Sequence, residues 1–300
     1  METSHPKLRV IILGSGNIGT DLLIKTVRSP HLDCSFFVGR NLTSPGMLKA
    51  RDLGIRVSDK SVNALLHDAE PFDLIFDATS ASAHFENWPV LRQLGKPVID
   101  LTPSRIGKMC VPAINLDDAL NYANINMVTC GGQASIPLAY TIGQVHKDVS
   151  YIEVVSSIAS QSAGLATRAN IDEYVETTER AVKTFSGAPR AKAILILNPA
   201  LPCMDMQTTV FAQVERPRLD ELIPAVDRIV RKIQTYVPDY RLVVPPLWDG
   251  DRIVMTVKVQ GQGDFLPKYA GNLDIINCAA LAVAEQQARQ RLQIEAEVFC

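Results

Sequence analysis

Residues 10–28 read VIILGSGNIGTDLLIKTVR, and this stretch decides the fold. Val10–Leu13 is a short apolar run. It stops at Gly14-Ser15-Gly16-Asn17-Ile18-Gly19, after which apolar side chains recur at helical spacing over residues 20–28. A strand that ends in GxGxxG and opens a helix is the setting in which those glycines have a mechanism. They allow a tight turn and close approach of the backbone to a pyrophosphate, while the helix N-terminus supplies free N–H donors and partial positive charge. The same spacing can close a strand–helix turn that binds nothing, but its place at the head of a βαβ series favours a dinucleotide site.

Outward from that turn, Cys34–Val38, Leu74–Phe76, Val98–Leu101 and Asn126–Thr129 are further short runs, separated by helix-length segments. Strands alternating with helices predict a parallel sheet, whose doubly buried strands carry continuous apolar runs of this kind. From about residue 150 the pattern changes. Tyr151–Ile158, Ala193–Leu197, Thr208–Val214, Tyr240–Val244 and Ile253–Val259 read as strands, several alternating apolar with polar. Ile171–Thr184, Leu219–Tyr236 and Leu273–Val298 read as helices, and Pro245-Pro246 and residues 261–264 as turns. The expected class is α/β, a Rossmann-type dinucleotide-binding domain joined to a second, α+β domain.

A length of 300 residues exceeds what one core usually fills, which agrees with two domains. With 32 Asp+Glu against 30 Lys+Arg the net charge is −2, which leaves no footprint for nucleic acid. A hydrophobic content of 47% excludes a disordered chain. No apolar run approaches the ~18–20 residues of a membrane span. The opening METSHPKLRV lacks the apolar region of a signal peptide, so a cytoplasmic location and six reduced cysteines are expected. No CxxC pair and no His/Asp/Glu cluster suggests a metal.

Two positions carry candidate chemistry. After Val38-Gly39 the chain continues Arg40-Asn41, with no acid to bond a ribose 2′-OH. Arg40 either accommodates the 2′-phosphate of NADP or is an exposed Arg above the adenine. Farther on, Met127-Val128-Thr129-Cys130-Gly131-Gly132 ends a strand in a cysteine and leads into a helix. A helix N-terminus lowers a thiol pKa, and the glycines clear space and leave N–H groups for an oxyanion hole. Cys130 is the candidate nucleophile. The alternative, a buried structural thiol, suits Cys34, Cys110, Cys203 and Cys278 better, and Cys300 is terminal.

Longer motifs then come into view: GSGNIGTDL (14–22), Phe76–Ala81 followed by His84, VIDLTPS (98–104), CVPAINL (110–116) and NMVTCGGQA (126–134). SAGLATRANIDEYVETT (162–178), ILNPALP (196–202), YVPDYRL (236–242) and LPKYAGNLDI (266–275) continue the series. Together they resemble the CoA-acylating acetaldehyde dehydrogenases of meta-cleavage pathways over nearly the whole chain. The resemblance implies that Cys130 is the acyl-thioester nucleophile and that Gly14, Ser15, Gly16, Asn17, Ile18 and Gly19 form the phosphate-binding turn. It places Ser162, Ala163, Gly164, Thr167 and Asn170 in a loop against the cofactor, and makes Asn272 a further cofactor ligand. It implies NAD (NADP possible), coenzyme A as co-substrate, a homodimer, and a 4-hydroxy-2-oxovalerate aldolase partner. The implied division is a Rossmann domain of residues 1–130 with 268–300 and a catalytic and dimerisation domain of 131–267.

Four segments depart from the family pattern. The Asp of its NPAxPxxMxxDT segment, proposed as a base, falls on Thr208, and Thr is no general base near neutral pH. Asp205, an odd offset away, belongs on the opposite face of an extended strand. Leu165-Ala166 stands where the family has Pro-Gly, the turn near 245–252 is short, and Arg40-Asn41 lacks the acid. His84 is expected on the cofactor side of the sheet in a supporting role. These departures keep open a phosphate-dependent semialdehyde dehydrogenase and a weakened scaffold subunit for an aldolase.

Overall fold

The computed structural model describes residues 7–298, without the side chains of Leu165, Ala166 and residues 293–298; His5 and Cys300 lie outside it. The first sheet contains β1 (Leu8–Leu13), β2 (Leu32–Val38), β3 (Val57–Ser58), β4 (Leu74–Asp77), β5 (Val98–Asp100), β6 (Lys108–Met109) and β7 (Asn124–Asn126). All pairings are parallel, in the order β3-β2-β1-β4-β5-β7-β6. Between these strands run α1 (Asn17–Arg28), α2 (Pro45–Asp52), α3 (Asn63–His67), α4 (Ala81–Gln93) and α5 (Pro112–Ala119). The strand order reverses between β1 and β4, and the 14–19 turn sits at that switch point, where open α/β sheets bind ligands.

The apolar run that opened the sequence is buried on both faces because successive strand residues point oppositely. Ile11 and Leu13 pack with Leu65 and Leu91 on one side. Val10 and Ile12 pack with Leu22, Leu23, Ala280, Val283 and Ala284 on the other.

The second half follows α6 (Cys130–Val145) with β8 (Tyr151–Ala159), α7 (Leu165–Ala169), α8 (Ile171–Ser186), β9 (Ala191–Asn198), β10 (Met206–Gln213), α9 (Leu219–Gln234), β11 (Tyr240–Asp249) and β12 (Arg252–Val259). Its sheet runs β11-β12-β10-β8-β9, antiparallel except for β8 with β9. One face packs on α6, α8 and α9; the other leaves Ile194, Ile196, Val243 and Leu247 exposed.

The final helix, α10 (Gly271–Val298), packs back on α1 and the first sheet. Its anchor is Lys25, a buried cation 2.8 Å from Asp274, 2.5 Å from Asp264 and 3.3 Å from Asp21. Burial by itself lowers the pKa of this ammonium, but Asp21 and Asp274 outweigh that and hold it above its ordinary value. No helix among the described residues is long and apolar enough to cross a membrane.

Two expectations fail locally. Pro245 and Pro246 lie inside β11 rather than in a turn. β11 is an edge strand whose register to β12 slips between Val244 and Leu247, and proline is tolerated at such irregular edges. Residues 127–129 are not strand: β7 ends at Asn126 and the helix begins at Cys130 itself.

Candidate active site

Three neighbouring strands end alike. Asp77, Asp100 and Asn126 are in register as the last residues of β4, β5 and β7. Each side chain accepts a hydrogen bond from the backbone N–H two residues on: from Thr79 at 3.0 Å, Thr102 at 2.8 Å and Val128 at 3.0 Å. Turns of this kind bend the chain off the sheet end, and Thr79, Thr102 and Val128 thereby line one pocket.

His84 joins two of these acids from behind. It is fully buried, with Nδ1 2.8 Å from Asp77 and Nε2 2.9 Å from the Asn124 amide nitrogen and 3.5 Å from Asp100. Burial alone lowers the His84 pKa, but the hydrogen bond to Asp77 and the charge of Asp100 outweigh it and hold it above the ordinary value. Burial raises the Asp100 carboxyl. His84 therefore supports the pocket wall without lining it.

Val128 has φ of +63°, a left-handed conformation rare for a β-branched residue. This bend turns the chain from β7 into α6. Thr129 caps the helix, its Oγ1 accepting from the Gly132 N–H at 2.8 Å. Cys130 is thus the first residue of α6, half-buried in the pocket. The space beside it is already taken, since a Cβ on Gly131 would lie 1.8 Å from Tyr174 Oη and 2.7 Å from Ser156 Oγ.

Two expectations need correction here. The Gly132 N–H is committed to the Thr129 cap and is not free for an oxyanion hole, which leaves the N–H groups of Cys130 and Gly131 beside the sulfur for that task. Nor does the helix start bring the thiol below its ordinary value. Burial pushes Cys130 up to about 11, countered only in part by the Gly131 N–H, the Tyr174 hydroxyl and its own N–H. Apolar walls penalise the thiolate more than the helix end favours it.

Ile18, Thr167, Asn170 and Asn272 line the same pocket as Cys130. Gly14, Ser15, Gly16, Asn17 and Gly19 form the adjoining turn. Gly14 has φ of +117°, and a Cβ there would meet the Ala78 carbonyl oxygen at 2.4 Å. Gly16 faces open space with nothing within 4 Å, and no side chain caps α1 above it. The loop bearing Gly164 passes over this turn, a Cβ there lying 3.5 Å from Asn17 Nδ2. Asn272 is buried, and its Oδ1 has no hydrogen-bond partner among the described residues. An open glycine, an uncapped helix start and an orphaned amide oxygen fit a dinucleotide.

Other predicted residues are occupied differently. The Ser162 hydroxyl donates to the Ala159 carbonyl at 2.8 Å, and the Ala163 carbonyl accepts from Arg168 at 3.1 Å. Arg40 is exposed beyond β2 and does not line the pocket.

A family model of the dimerisation region of prokaryotic acetaldehyde dehydrogenases matches residues 130–267. Over 287 residues, 95% of this chain and 97% of the relative, the sequence is 58% identical to an acetaldehyde dehydrogenase of Pectobacterium atrosepticum. The chain belongs to the acetaldehyde dehydrogenase family. A second relative, the acetaldehyde dehydrogenase of Spirochaeta aurantia, is 56% identical over 282 residues, 94% of this chain and 95% of its own. Among solved structures, aspartate semialdehyde dehydrogenase II of Vibrio cholerae in complex with ASA matches with a TM-score of 0.64 at 13% identity, covering 95% of this chain and 99% of that one. Aspartate semialdehyde dehydrogenase of Candida albicans with NADP matches at 0.62 and 10% identity, covering 93% and 100%. These two share the fold. An acetaldehyde dehydrogenase is an oxidoreductase, and its nicotinamide cofactor suits the pocket described above.

Against this family the departures gain a structural setting. Thr208 is buried on the inner face of β10, directly opposite Ser156 of β8, with their hydroxyl oxygens 2.9 Å apart. Asp205 precedes the strand and pairs with Lys258 at 3.3 Å, away from the pocket. The shortened turn is the two-residue link Gly250-Asp251 between β11 and β12.

Sequence reasoning missed Tyr174, Thr79, Thr102 and the role of Asp77 and Asp100. For the acids a signal exists: FDAT and IDLT repeat an apolar run, an Asp and a Thr two residues on. For Tyr174, helical spacing shares its face with Thr177, Thr178, Ala181 and Val182, all buried, but spacing cannot say what that face meets.

Proposed function

We propose that this acetaldehyde dehydrogenase is CoA-acylating, interconverting acetaldehyde or a short relative, CoA and NAD(P)+ with acyl-CoA, NAD(P)H and a proton. The carrying observation is Cys130, the half-open thiol at the start of α6, in one pocket with Asn272, Thr167 and Asn170. The Cys130 thiolate adds to the aldehyde carbon, and the carbonyl electron pair moves to oxygen to give a thiohemiacetal alkoxide. When bound, the nicotinamide supplies a hydride acceptor. As the C–H bond breaks, the C=O bond re-forms and leaves an acyl thioester on Cys130. Attack by CoA thiolate opens that thioester and frees Cys130. Leu101, Val128, Leu273 and Ile276 give the cavity apolar walls that keep water from the thioester.

Gly14–Gly19, Gly164, Thr167, Asn170 and Asn272 are the cofactor contacts in this reading, with Ser162 and Ala163 shaping the loop and Arg40 at the adenosine end. Residues 1–130 with 268–300 serve nucleotide binding, and 131–267 catalysis and dimerisation. The match to a dimerisation model and the apolar outer face of the second sheet support a homodimer. The resemblance to meta-cleavage enzymes supports a cytoplasmic setting and an aldolase partner, which co-purification would test.

The deciding experiment supplies acetaldehyde, CoA and NAD+ or NADP+ and follows reduced nicotinamide. Turnover should require CoA and should fall at least a thousand-fold in Cys130→Ala, since removing a nucleophile costs rates of this order. Undiminished turnover in that variant sinks the reading. Dependence on phosphate in place of CoA would move it to the semialdehyde class.

A further inference from the structure

The reading of Cys130 as nucleophile leaves one polar side chain at the reacting centre without a use. Tyr174 of α8 is 6% exposed, and its Oη is buried beside the Cys130 sulfur, Ser156 Oγ and the Gly131 N–H, with no hydrogen bond of full geometry to any described residue. A buried hydroxyl in that condition is costly to the fold. It lies against the Cys130 thiol, in the space that a Cβ on Gly131 would fill.

Behind Tyr174 stands a short row of hydroxyls. Ser156 Oγ crowds the same point beside Gly131, and Ser156 shares a 2.9 Å hydrogen bond with Thr208 Oγ1. Each hydroxyl can donate one proton and accept another. With Thr208 donating to Ser156 and Ser156 to Tyr174, the Tyr174 O–H is left directed at the sulfur, and each donor strengthens the next.

Nothing charged competes for this task. Of the pocket-lining residues on β4, β5, α6, α7, α8 and α10 and their loops, Tyr174 is the only titratable group besides Cys130. Asp77, His84 and Asp100 are bound to one another behind Thr79 and Thr102. Arg168 is turned to Ser160 and Ala163.

We propose that Tyr174 is a catalytic residue whose hydroxyl donates a hydrogen bond to Cys130 Sγ and favours its thiolate in a pocket that otherwise opposes the charge. The Cys130 proton passes to water at the open side of the pocket, and the O–H bond of Tyr174 stays intact. Burial holds the phenol well above its ordinary value, so it remains a donor across the working pH range.

The test follows alkylation of Cys130 by iodoacetamide against pH, with the modified site read by mass spectrometry, in wild type, Tyr174→Phe and Ser156→Ala. Loss of a hydrogen bond to a charged acceptor should raise the midpoint for Tyr174→Phe by about one pH unit, a roughly ten-fold slower reaction below it. Ser156→Ala keeps the phenol but removes the donor behind it, and should shift the midpoint the same way by less. Equal or lowered midpoints in variants with wild-type thermal unfolding overturn the proposal. If Tyr174→Phe does not fold, Ser156→Ala decides alone. Unchanged midpoints together with an inactive Cys130→Ala defeat this inference and leave the proposed function standing.

Discussion

Gly131 is needed as glycine by a neighbour rather than by its own backbone. Tyr174 Oη occupies the place of its absent Cβ, with a separation of 1.8 Å. In Gly131→Ala the phenol must move away from Cys130. That variant should lose at least ten-fold in kcat/KM and should unfold at lower temperature, because overpacking a filled site costs about 1–3 kcal/mol. Gly164→Ala is the internal control: its Cβ would come no closer than 3.5 Å to Asn17, an ordinary contact. Steady-state kinetics and thermal unfolding of the two variants separate the cases, and equal behaviour would contradict the packing described for Tyr174.

At the scale of elements, the ends of β4, β5 and β7 act as a unit. Asp77, Asp100 and Asn126 hold the three pocket loops, and His84 lies between the two acids. The sign of its pH effect follows from its raised folded pKa. A histidine held above its unfolded value of about 6.5 contributes stability that is fully present below that pH and lost as pH rises through the folded value. Comparison of His84→Gln with wild type by chemical denaturation should therefore show the largest stability gap below about pH 6.5 and a gap that shrinks as pH rises beyond it. A gap that widens with pH would mean that His84 is neutral in the fold. Substrate KM should rise along with the stability loss, since the same acids fix Thr79 and Thr102.

At the scale of the whole molecule, the second sheet keeps one apolar face against its helices and leaves a second one bare. Ile194 and Ile196 on β9 and Val243 and Leu247 on β11 are each more than a third exposed. Exposed apolar groups on this scale mark interaction surfaces. Ile196→Glu or Leu247→Glu, placing charge on that face, should convert a dimer into a monomer in analytical ultracentrifugation with secondary structure unchanged. A dimer that survives both substitutions must use another surface.

Most of the fold was legible because it rests on local periodicity. The buried run Val10–Leu13, the glycines after it and the texture change near residue 150 follow from side-chain alternation and turn chemistry, which neighbours in sequence impose. Cys130 was legible for the same reason, as a thiol between a strand end and two glycines. Pro245 and Pro246 misled because an edge strand with a slipped register accepts what a central strand rejects. Tyr174, Ser156 and Thr208 were not legible as a row, since they come from α8, β8 and β10 and meet only through sheet register and helix packing. By itself the sequence determined two sheets, a glycine-rich strand–helix turn and a cysteine at a helix start. Only the tertiary structure decided what faces the sulfur and at what desolvation cost, because burial and donor geometry arise between segments far apart in the chain.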